Sequence, residues 1–488
     1  MTLFEQTNAI SDPPDLSEIK RKLLAKYVSD EVSSEVTPKI IRRPSGETVP
    51  ASLFQEEIWH WAAMANGTPS FYNESTTIRR HGDLNRTALE RAFAEIIRRH
   101  EAWRTNFQEM NGHVVQIIQP APSQVSIPFI DVRSITASER NAKAIALATE
   151  DARRPFDLEQ GTLVRPLLIT LDENEHLLFV TMHQIITDGV SVYQILPREL
   201  SELYGAFVNG GSHLLPELPF QFADISHTER ERFTGDAIAE DIKYWKSVLS
   251  GELPTIDWPN KQEPSFGNSE GALLEFTISQ RLSDEIKKLS RREGVTLYTT
   301  FLAAFVAVLF CYTGQEDIIT GTVVPAGRNV PAAQCLLGYF LNPIALRVDL
   351  SGKVTVRDLL LRCREVLLGA LSHDMVPIEY LMRQIQLPDG LARQWPFNMG
   401  ITLAPSLPNL SSGWDHTSMD CDGGWARWDL YVELSVKPAG IDGRAQFRTK
   451  LFTPAVVSKF VTDLKKTLKT FLLSTDLAIQ DIASVVSA

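Results

Sequence analysis

Polar side chains suited to proton transfer stand together in the stretch Met182-His183-Gln184-Ile185-Ile186-Thr187-Asp188-Gly189. The apolar run Leu177–Met182 predicts a strand, and the residues from Val190 onward predict a helix. A histidine at the mouth of a strand can accept a proton near neutral pH, and a nearby aspartate can pair with an arginine and fix the loop. A glycine leaves room for a slender substrate beside the backbone. The stretch therefore has the composition of a reaction centre.

Two features of this stretch limit that interpretation. Asp188-Gly189 is by itself only a turn signal, so a turn around a hydrogen-bonded histidine fits the same residues. Gln184 has no nitrogen that titrates near neutral pH and cannot act as a general base. Its amide can still donate or accept a hydrogen bond and orient a nucleophile. Residues elsewhere in the chain must decide between the two interpretations.

The composition is that of a globular protein with two or three domains. The chain has 488 residues, of which 44% are hydrophobic and 22% charged, and its net charge of -12 argues against a nucleic-acid partner. No basic segment followed by an apolar run opens the chain, and the longest apolar run, Phe301–Cys311, is too short to span a bilayer. The four cysteines show no paired spacing, which favours buried thiols in a cytoplasmic protein without a membrane segment.

Helical and strand patterns alternate along the chain and predict a mixed α/β fold. A basic helix over Asp15–Val28 and a linker over Ser29–Pro50 precede a compact fold that begins near Ala51. Helices are predicted at Arg86–His100, Val190–Phe207 (kinked at Pro197), Ser283–Arg292 (capped by Ser283), Tyr298–Tyr312 and Pro454–Leu473. Strands are predicted at Gly112–Gln119, Leu163–Leu171, His176–Met182, Ile318–Val324, Tyr339–Val348, Asn398–Leu403, Leu430–Val436 and Ala445–Phe452.

Seven further segments extend the motif pattern over almost the whole chain from about Pro50 onward. In chain order they are Ser52–Trp59, Arg99–Phe107, Gln221–Asp224, Tyr312–Asp317 with Gly327-Arg328, Leu337–Asn342 with Arg347 beyond it, His373–Glu379 and Trp428–Leu430. Together with His183–Gly189 they resemble the ordered motifs of condensation domains of nonribosomal peptide synthetases, which belong to the HHxxxDG acyltransferase superfamily. The match is complete at the motif loop except that Gln184 stands in place of the second histidine.

The resemblance implies an α/β fold of two lobes, each similar to chloramphenicol acetyltransferase, that form a V around a central tunnel. Residues 50–225 would form the N-terminal lobe with the motif loop, and residues 226–488 would form the C-terminal lobe. Residues 1–49 would be a helix and linker, similar to the segment that often precedes such domains in assembly lines, and a candidate docking segment.

The resemblance also implies roles for the residues of the motif loop. His183 matches a histidine that is more structural than catalytic, and Gln184 stands at the catalytic position. Asp188 matches an aspartate that ties the loop down by a salt bridge, and Gly189 would flank the substrate arm.

Other candidate site residues come from the remaining motifs. The first choice for the salt-bridge partner of Asp188 is Arg347, and the alternatives are Arg104 and Arg328. The candidates for lining the tunnel are Tyr339, Asn342 and Trp428, although aromatic residues on strands are more often plain core. No metal and no bound cofactor are expected.

As a member of this family, the chain is expected to be an acyltransferase in nonribosomal peptide or hybrid polyketide biosynthesis. Donor and acceptor carrier proteins would present an acyl or peptidyl thioester and an amine or hydroxyl acceptor on phosphopantetheine arms. Neighbouring synthetase domains are further candidate partners of a chain expected to be monomeric.

Because of Gln184, three hypotheses remain open. The chain is a catalyst that tolerates glutamine, or a non-catalytic module that binds carrier proteins or recruits a partner, or a histidine-to-glutamine variant of an active enzyme. A coenzyme A-dependent acyltransferase of the same superfamily is a fourth hypothesis.

Overall fold

The structure is a computed structural model that describes residues 40–482 apart from 45–47, 65–69, 214, 234–237, 257, 259–269, 386–394, 406, 409, 411–412, 418–420 and 438. Ile40–Ala488 forms one compact unit. The basic helix predicted over Asp15–Val28 lies outside the described residues. The compact unit begins before Ala51, the predicted start, because Ile41 N–H donates to Thr228 Oγ1 at 2.9 Å and Val49 pairs with Gln116.

Strands and helices follow one another in mixed order along the described chain. The strands are β1 (Val49–Pro50), β2 (Asn73–His81), β3 (Thr105–Met110), β4 (His113–Ile118), β5 (Phe129–Asp131), β6 (Val164–Asp172), β7 (Glu175–His183), β8 (Gly271–Ser279), β9 (Asp317–Val324), β10 (Asn342–Asp349), β11 (Met399–Leu403), β12 (Trp414–Thr417), β13 (Leu430–Lys437) and β14 (Gly440–Arg448). The helices are α1 (Leu53–Met64), α2 (Arg86–Arg99), α3 (Ala137–Ala152), α4 (Leu196–Val208), α5 (Phe222–Arg232), α6 (Ala239–Val248), α7 (Gln280–Arg292), α8 (Leu297–Thr313), α9 (Val356–Ser372), α10 (Ile378–Gln384) and α11 (Pro454–Leu473).

One sheet carries the motif loop at the end of β7. Its strand order is β12-β2-β7-β6-β5, and β7 is antiparallel to both β2 and β6. The ladder reaches the last residue of β7, where His183 pairs with Asn73. Because side chains alternate along a strand, Val180 and Met182 face the main core, whereas Phe179 faces a smaller core beneath α3. This alternation decides which motif side chains reach the site.

A second sheet comes from the later part of the chain and has the order β10-β9-β11-β13-β14-β8. β11 is parallel to β9 and β13, and the other neighbours are antiparallel. Helix α8 is buried at every position from Thr299 to Leu309, so it forms the centre of this half. The short strand β12 leaves this half and pairs with β2 of the first sheet. The two halves therefore share one sheet and one continuous core.

Two predicted helices begin differently from the sequence prediction. Ser283 is wrong as the cap of α7, because the helix begins at Gln280 and the side chain of Ser279 accepts the N–H of Leu282. Pro197 does not kink a long helix. Instead the chain makes a wider π turn over Ser191–Ile195, and Pro197 lies in the first turn of α4, where its missing N–H costs nothing.

Two predicted strands also have different bounds from the sequence prediction. β10 begins at Asn342 rather than Tyr339, because its partner β9 ends at Val324 and Pro325 follows without an N–H to donate. β14 covers Gly440–Arg448 rather than Ala445–Phe452, because it pairs with β13 from Gly440 onward as a tight hairpin. Helix α11 has the predicted bounds and the predicted cap, Thr453.

Among the described helices, none is by itself long and apolar enough to cross a bilayer. Helices α7 and α8, which are bent relative to each other, are together long and apolar enough, by length and composition alone.

Candidate active site

The motif loop leaves β7 through a 3-10 turn, Gln184–Ile186. Gln184 N–H donates to the carbonyl of Tyr72 at 2.8 Å, so the pairing of β7 with β2 continues one residue past the strand. Alternation then directs His183 and Gln184 to opposite faces of the sheet. Gln184 lines a cavity of about 250 Å³ on one face, whereas His183 packs edge-on against Phe156 on the other.

His183 supports the turn and does not line the cavity. Its Nδ1 accepts the N–H of Ile185 at 3.3 Å, and its ring meets the edges of Tyr72 and Phe156. Burial lowers the pKa of His183 to about 3, although a hydrogen bond to the backbone of Phe71 acts in the opposite direction. The imidazole is therefore neutral near pH 7 and holds the loop in shape.

We expect the buried His183 to make the protein less stable in mild acid. Its pKa of about 3 in the folded chain lies below the value of about 6.5 for an unfolded histidine, so the unfolded state binds the extra proton between these values. The stabilisation is fully present above about pH 6.5 and is lost as the pH falls, at up to about 1.4 kcal/mol per pH unit.

Urea titrations between about pH 5 and pH 7.5 measure this slope in the free energy of unfolding. His183→Asn should remove that part of the slope, because an amide does not titrate. His113→Asn, at an exposed histidine of β4, is the control and should keep it. The same slope in the parent chain and in both variants would contradict the assignment.

Asp188 is held by Arg328 in a buried, two-pronged ion pair. Arg328 Nε donates to Asp188 Oδ2 at 2.8 Å and Nη2 donates to Oδ1 at 2.7 Å, and the two side chains are 2% and 0% exposed. The N–H of Ser191 also donates to Asp188 Oδ1, at 2.8 Å. Arg328 further donates to the carbonyls of Ala333 and Leu336 at 2.6 and 3.1 Å. The pair ties the motif loop to the second half of the chain.

The prediction of Arg347 as the partner of Asp188 is wrong. Arg347 lies on β10 and binds Asp317 at the start of the neighbouring strand β9, at 2.7 Å. Arg104, one alternative, pairs with Glu101 three residues before it, at 3.5 Å. Both arginines have partners near the surface. The partner of Asp188 is Arg328, the other alternative.

Arg427 orients the amide of Gln184. A guanidinium can only donate, so the contact between Arg427 Nη2 and Gln184 Oε1 turns the amide oxygen toward the arginine. Arg427 also lies over the ring of Tyr72, 4.7 Å from its centroid. Burial alone would lower the pKa of Arg427, but Tyr72, Tyr339 and Glu74 outweigh it and the pKa is raised. The guanidinium stays charged. No residue that the structure describes accepts a hydrogen bond from the NH₂ group of Gln184, so this group can donate into the cavity.

The cavity wall contains some of the predicted lining residues but not all. Trp428 lines it together with Gln184 and Gly189. Asn342 does not, because its amide is buried and donates to the carbonyls of Asp374 and Val376 at 2.7 and 2.9 Å. Tyr339 is buried in the main core. Within the described residues, no group of three or more His, Cys, Asp and Glu side chains is arranged to hold a metal ion.

Sequence reasoning does not predict four charged residues of the wall, Glu74, Arg427, Glu433 and Arg444. Glu433 on β13 and Arg444 on β14 are directly opposite in the sheet register, and Nη1 lies 3.5 Å from Oε1. The sequence feature that could have indicated Glu433 is the alternation of β13, in which the buried Val432 and Leu434 flank this less buried glutamate. Strand periodicity thus places Glu433 opposite to the core, but only the register brings it to Arg444.

The chain belongs to the condensation domain family, whose model matches residues 45–488. It is 34% identical over 454 residues to a linear gramicidin synthase of Brevibacillus parabrevis, covering 92% of this chain and 6% of that protein. It is 33% identical over 457 residues to malpinin synthetase of Mortierella alpina, covering 92% of this chain and again 6% of the relative. The chain therefore spans less than a tenth of the length of these curated relatives.

Solved structures share the fold. The X-domain from teicoplanin biosynthesis superposes with a TM-score of 0.78 at 24% identity, covering 91% of this chain and 99% of that one. The first condensation domain of the calcium-dependent antibiotic synthetase, in complex with substrate analogue 2a, gives a TM-score of 0.77 at 16% identity, covering 89% and 99%. The predicted mixed α/β condensation-domain fold is thereby confirmed.

Proposed function

We propose that this chain joins an acyl group, held as a thioester on a carrier-bound phosphopantetheine arm, to an amine acceptor, and does so more slowly than a histidine at position 184 would allow. The supporting observation is the cavity, which brings Gln184, Gly189 and Trp428 from both halves of the chain around one space. Membership of the condensation domain family supports the reaction type. Donor and acceptor carrier domains are the proposed partners.

In this reaction the acceptor nitrogen attacks the thioester carbonyl carbon and the carbon–sulfur bond breaks. The nitrogen loses one proton, and the thiolate of the arm finally takes one up. The NH₂ group of Gln184, whose oxygen is held by Arg427, is placed to donate to an oxygen of the substrate. Such a donor stabilises charge that develops in the transition state. An amine suits this site better than an alcohol, because an alcohol depends more strongly on a general base.

Gly189 gives a test of where the substrate arm passes. A Cβ built there would lie 3.5 Å from Pro405 Cδ and 3.7 Å from Tyr193 Cδ2, which is ordinary contact, so the fold itself accommodates a side chain. A leucine would extend into the cavity that Gly189 lines. We expect Gly189→Leu to lower product formation by about tenfold or more, because small misplacements of reacting groups are costly, while Gly189→Ala has an intermediate effect.

The assay uses an acyl-loaded donor carrier and an aminoacyl-loaded acceptor carrier, with product measured by mass spectrometry. Gly205→Leu is the control, because a Cβ at Gly205 on α4 meets nothing within 4 Å. Unchanged rates in Gly189→Leu would contradict passage of the arm beside this residue. Coenzyme A thioesters that compete equally with carrier thioesters would favour the coenzyme A-dependent class.

The alternative is a condensation-fold module that binds carriers or recruits a partner without making a bond. Gln184 favours it, because an amide cannot take up the proton that the acceptor loses. A structural neighbour of this fold, the X-domain from teicoplanin biosynthesis, is known in complex with OxyB. Absence of product from both the parent chain and Gln184→His, with carrier binding intact, would support recruitment and overturn the proposed catalysis.

A further inference from the structure

Glu74 is an acid in the cavity wall beside the position that lacks a base. It lies on β2 opposite Met182, and Tyr72, two residues before it, accepts the N–H of Gln184. Glu74 and Gln184 are therefore diagonal neighbours on one face of the sheet, and the distance expected between their Cα atoms is roughly 7–8 Å. Both side chains line the same cavity. An acceptor group that contacts Gln184 is within reach of the Glu74 carboxylate.

The cations around Glu74 are engaged with other groups. Arg427 donates to Gln184, and Arg444 lies against Glu433 at 3.5 Å. Arg444 and Arg427 attract the Glu74 carboxylate through their charge. Within the described part of the chain, no residue donates a hydrogen bond to it. It is open to a ligand in the cavity.

The charges that face Glu74 come from three directions. Glu433 and Arg444 face it from β13 and β14, and Arg427 from the segment before β13. The hydroxyl of Tyr193, a titratable but uncharged group, faces it from the π turn. Burial and like-charge repulsion from Glu433 raise the pKa of Glu74, Arg444 and Arg427 oppose the rise, and the resulting pKa is about 7. A carboxylate of this kind is divided between its two protonation states at neutral pH, which suits both proton uptake and release.

We propose that Glu74 is the general base of this site and takes over the proton transfer for which position 184 has no imidazole. This inference rests on the proposed acyl transfer. As the acceptor nitrogen forms its bond to the thioester carbonyl carbon, one nitrogen-bound proton moves to a Glu74 carboxylate oxygen. The carbon–sulfur bond then breaks with its electron pair on sulfur, and the proton on Glu74 passes to that thiolate. The products are an amide and a free thiol, and Glu74 returns to its carboxylate form.

A double-mutant cycle between positions 74 and 184 tests this role. Glu74→Gln keeps the shape of the side chain and removes the base, and Gln184→His supplies a different base in the same cavity. In the parent background, Glu74→Gln should lower kcat by about 10²–10⁴ with little change in KM. In the Gln184→His background the same substitution should cost less than about tenfold, because the imidazole now accepts the proton. Glu74→Asp should retain part of the activity in the parent background.

Two further variants sharpen the test. Glu173→Gln removes the same charge at the exposed turn between β6 and β7 and should leave kcat unchanged. Glu433→Gln removes the like charge beside Glu74, so the acid limb of the kcat profile, near pH 7 in the parent chain, should move to lower pH. This pH profile of the parent chain needs no variant at position 74 and is read even if Glu74→Gln folds poorly.

The possible outcomes separate this inference from the proposed function. Product from the parent chain with equal losses for Glu74→Gln in both backgrounds, or a change in KM alone, would show a substrate-binding role and overturn the base assignment while acyl transfer stands. Product from Gln184→His but none from the parent chain would also overturn it, because no base would be acting there. No product from either, with carriers bound, would overturn the acyl transfer itself.

Discussion

Replacing Arg328 with methionine is expected to lower the free energy of unfolding by about 3–5 kcal/mol, a large fraction of the ordinary stability of about 5–15 kcal/mol. Methionine keeps much of the volume of the side chain but leaves Asp188 as a charge without its partner. Asp188 and Arg328 are 0% and 2% exposed, so water cannot replace the lost hydrogen bonds. Urea or thermal unfolding monitored by circular dichroism measures the change.

Arg347→Met is the matched control, since the motif order favours Arg347 as the partner of Asp188. Its side chain is 22% exposed and Asp317 is 44% exposed, so water can solvate both groups after the substitution. We expect a loss of about 1–2 kcal/mol. A larger loss for Arg347→Met than for Arg328→Met would contradict the assignment of Arg328 to Asp188. Asp188→Asn combined with Arg328→Met should recover part of the loss, because no uncompensated charge then remains buried.

The Asp188–Arg328 ion pair also shows which parts of the structure the sequence can predict and which it cannot. Local periodicity predicts α2, α11 and the β6–β7 hairpin closely, because each pattern is determined by neighbours in the chain. The partner of Asp188 is not a local property. Arg328 follows a short strand and a proline in the other half of the chain, and only the packing of the two halves brings it to the motif loop. Its motif segment made it a candidate, and nothing in the spacing ranked it above Arg347.

The same limit applies to the cavity. Gln184, Gly189 and Trp428 could be predicted because they lie in motif segments that the family resemblance marks. Glu74 and Arg444 lie outside those segments, and each is one charged residue on a strand, where exposure to solvent is the ordinary expectation. They become site residues through the antiparallel registers of β2 with β7 and of β13 with β14, which a single sequence does not specify.

Gln184→His is expected to form product from a loaded donor carrier and an amine acceptor at least about tenfold faster than the parent chain. The gain should stay below the ~10²–10⁴ that a general base contributes in full, because Glu74 already accepts the proton in the parent chain. The substitution places an imidazole directly in the cavity wall, because residue 184 faces the cavity through the strand alternation that turns His183 away. Arg427, which now donates to the Gln184 oxygen, would stand beside the new ring. A neighbouring cation disfavours the imidazolium, so the ring would remain in its neutral, proton-accepting form near pH 7.

Gln184→Leu is the control for this comparison, because it removes the amide hydrogen bonds and adds no base. The rate of product formation by Gln184→Leu should be lower than that of the parent chain, because the amide no longer positions the substrate. If Gln184→His and the parent chain have equal rates, proton removal at residue 184 is not what limits the reaction. If Gln184→Leu also matches them, residue 184 takes no part in the chemistry, and the cavity then serves to hold substrates rather than to activate them. A rise for histidine with a fall for leucine would instead establish that the loop is a working condensation site in which one side chain sets the rate.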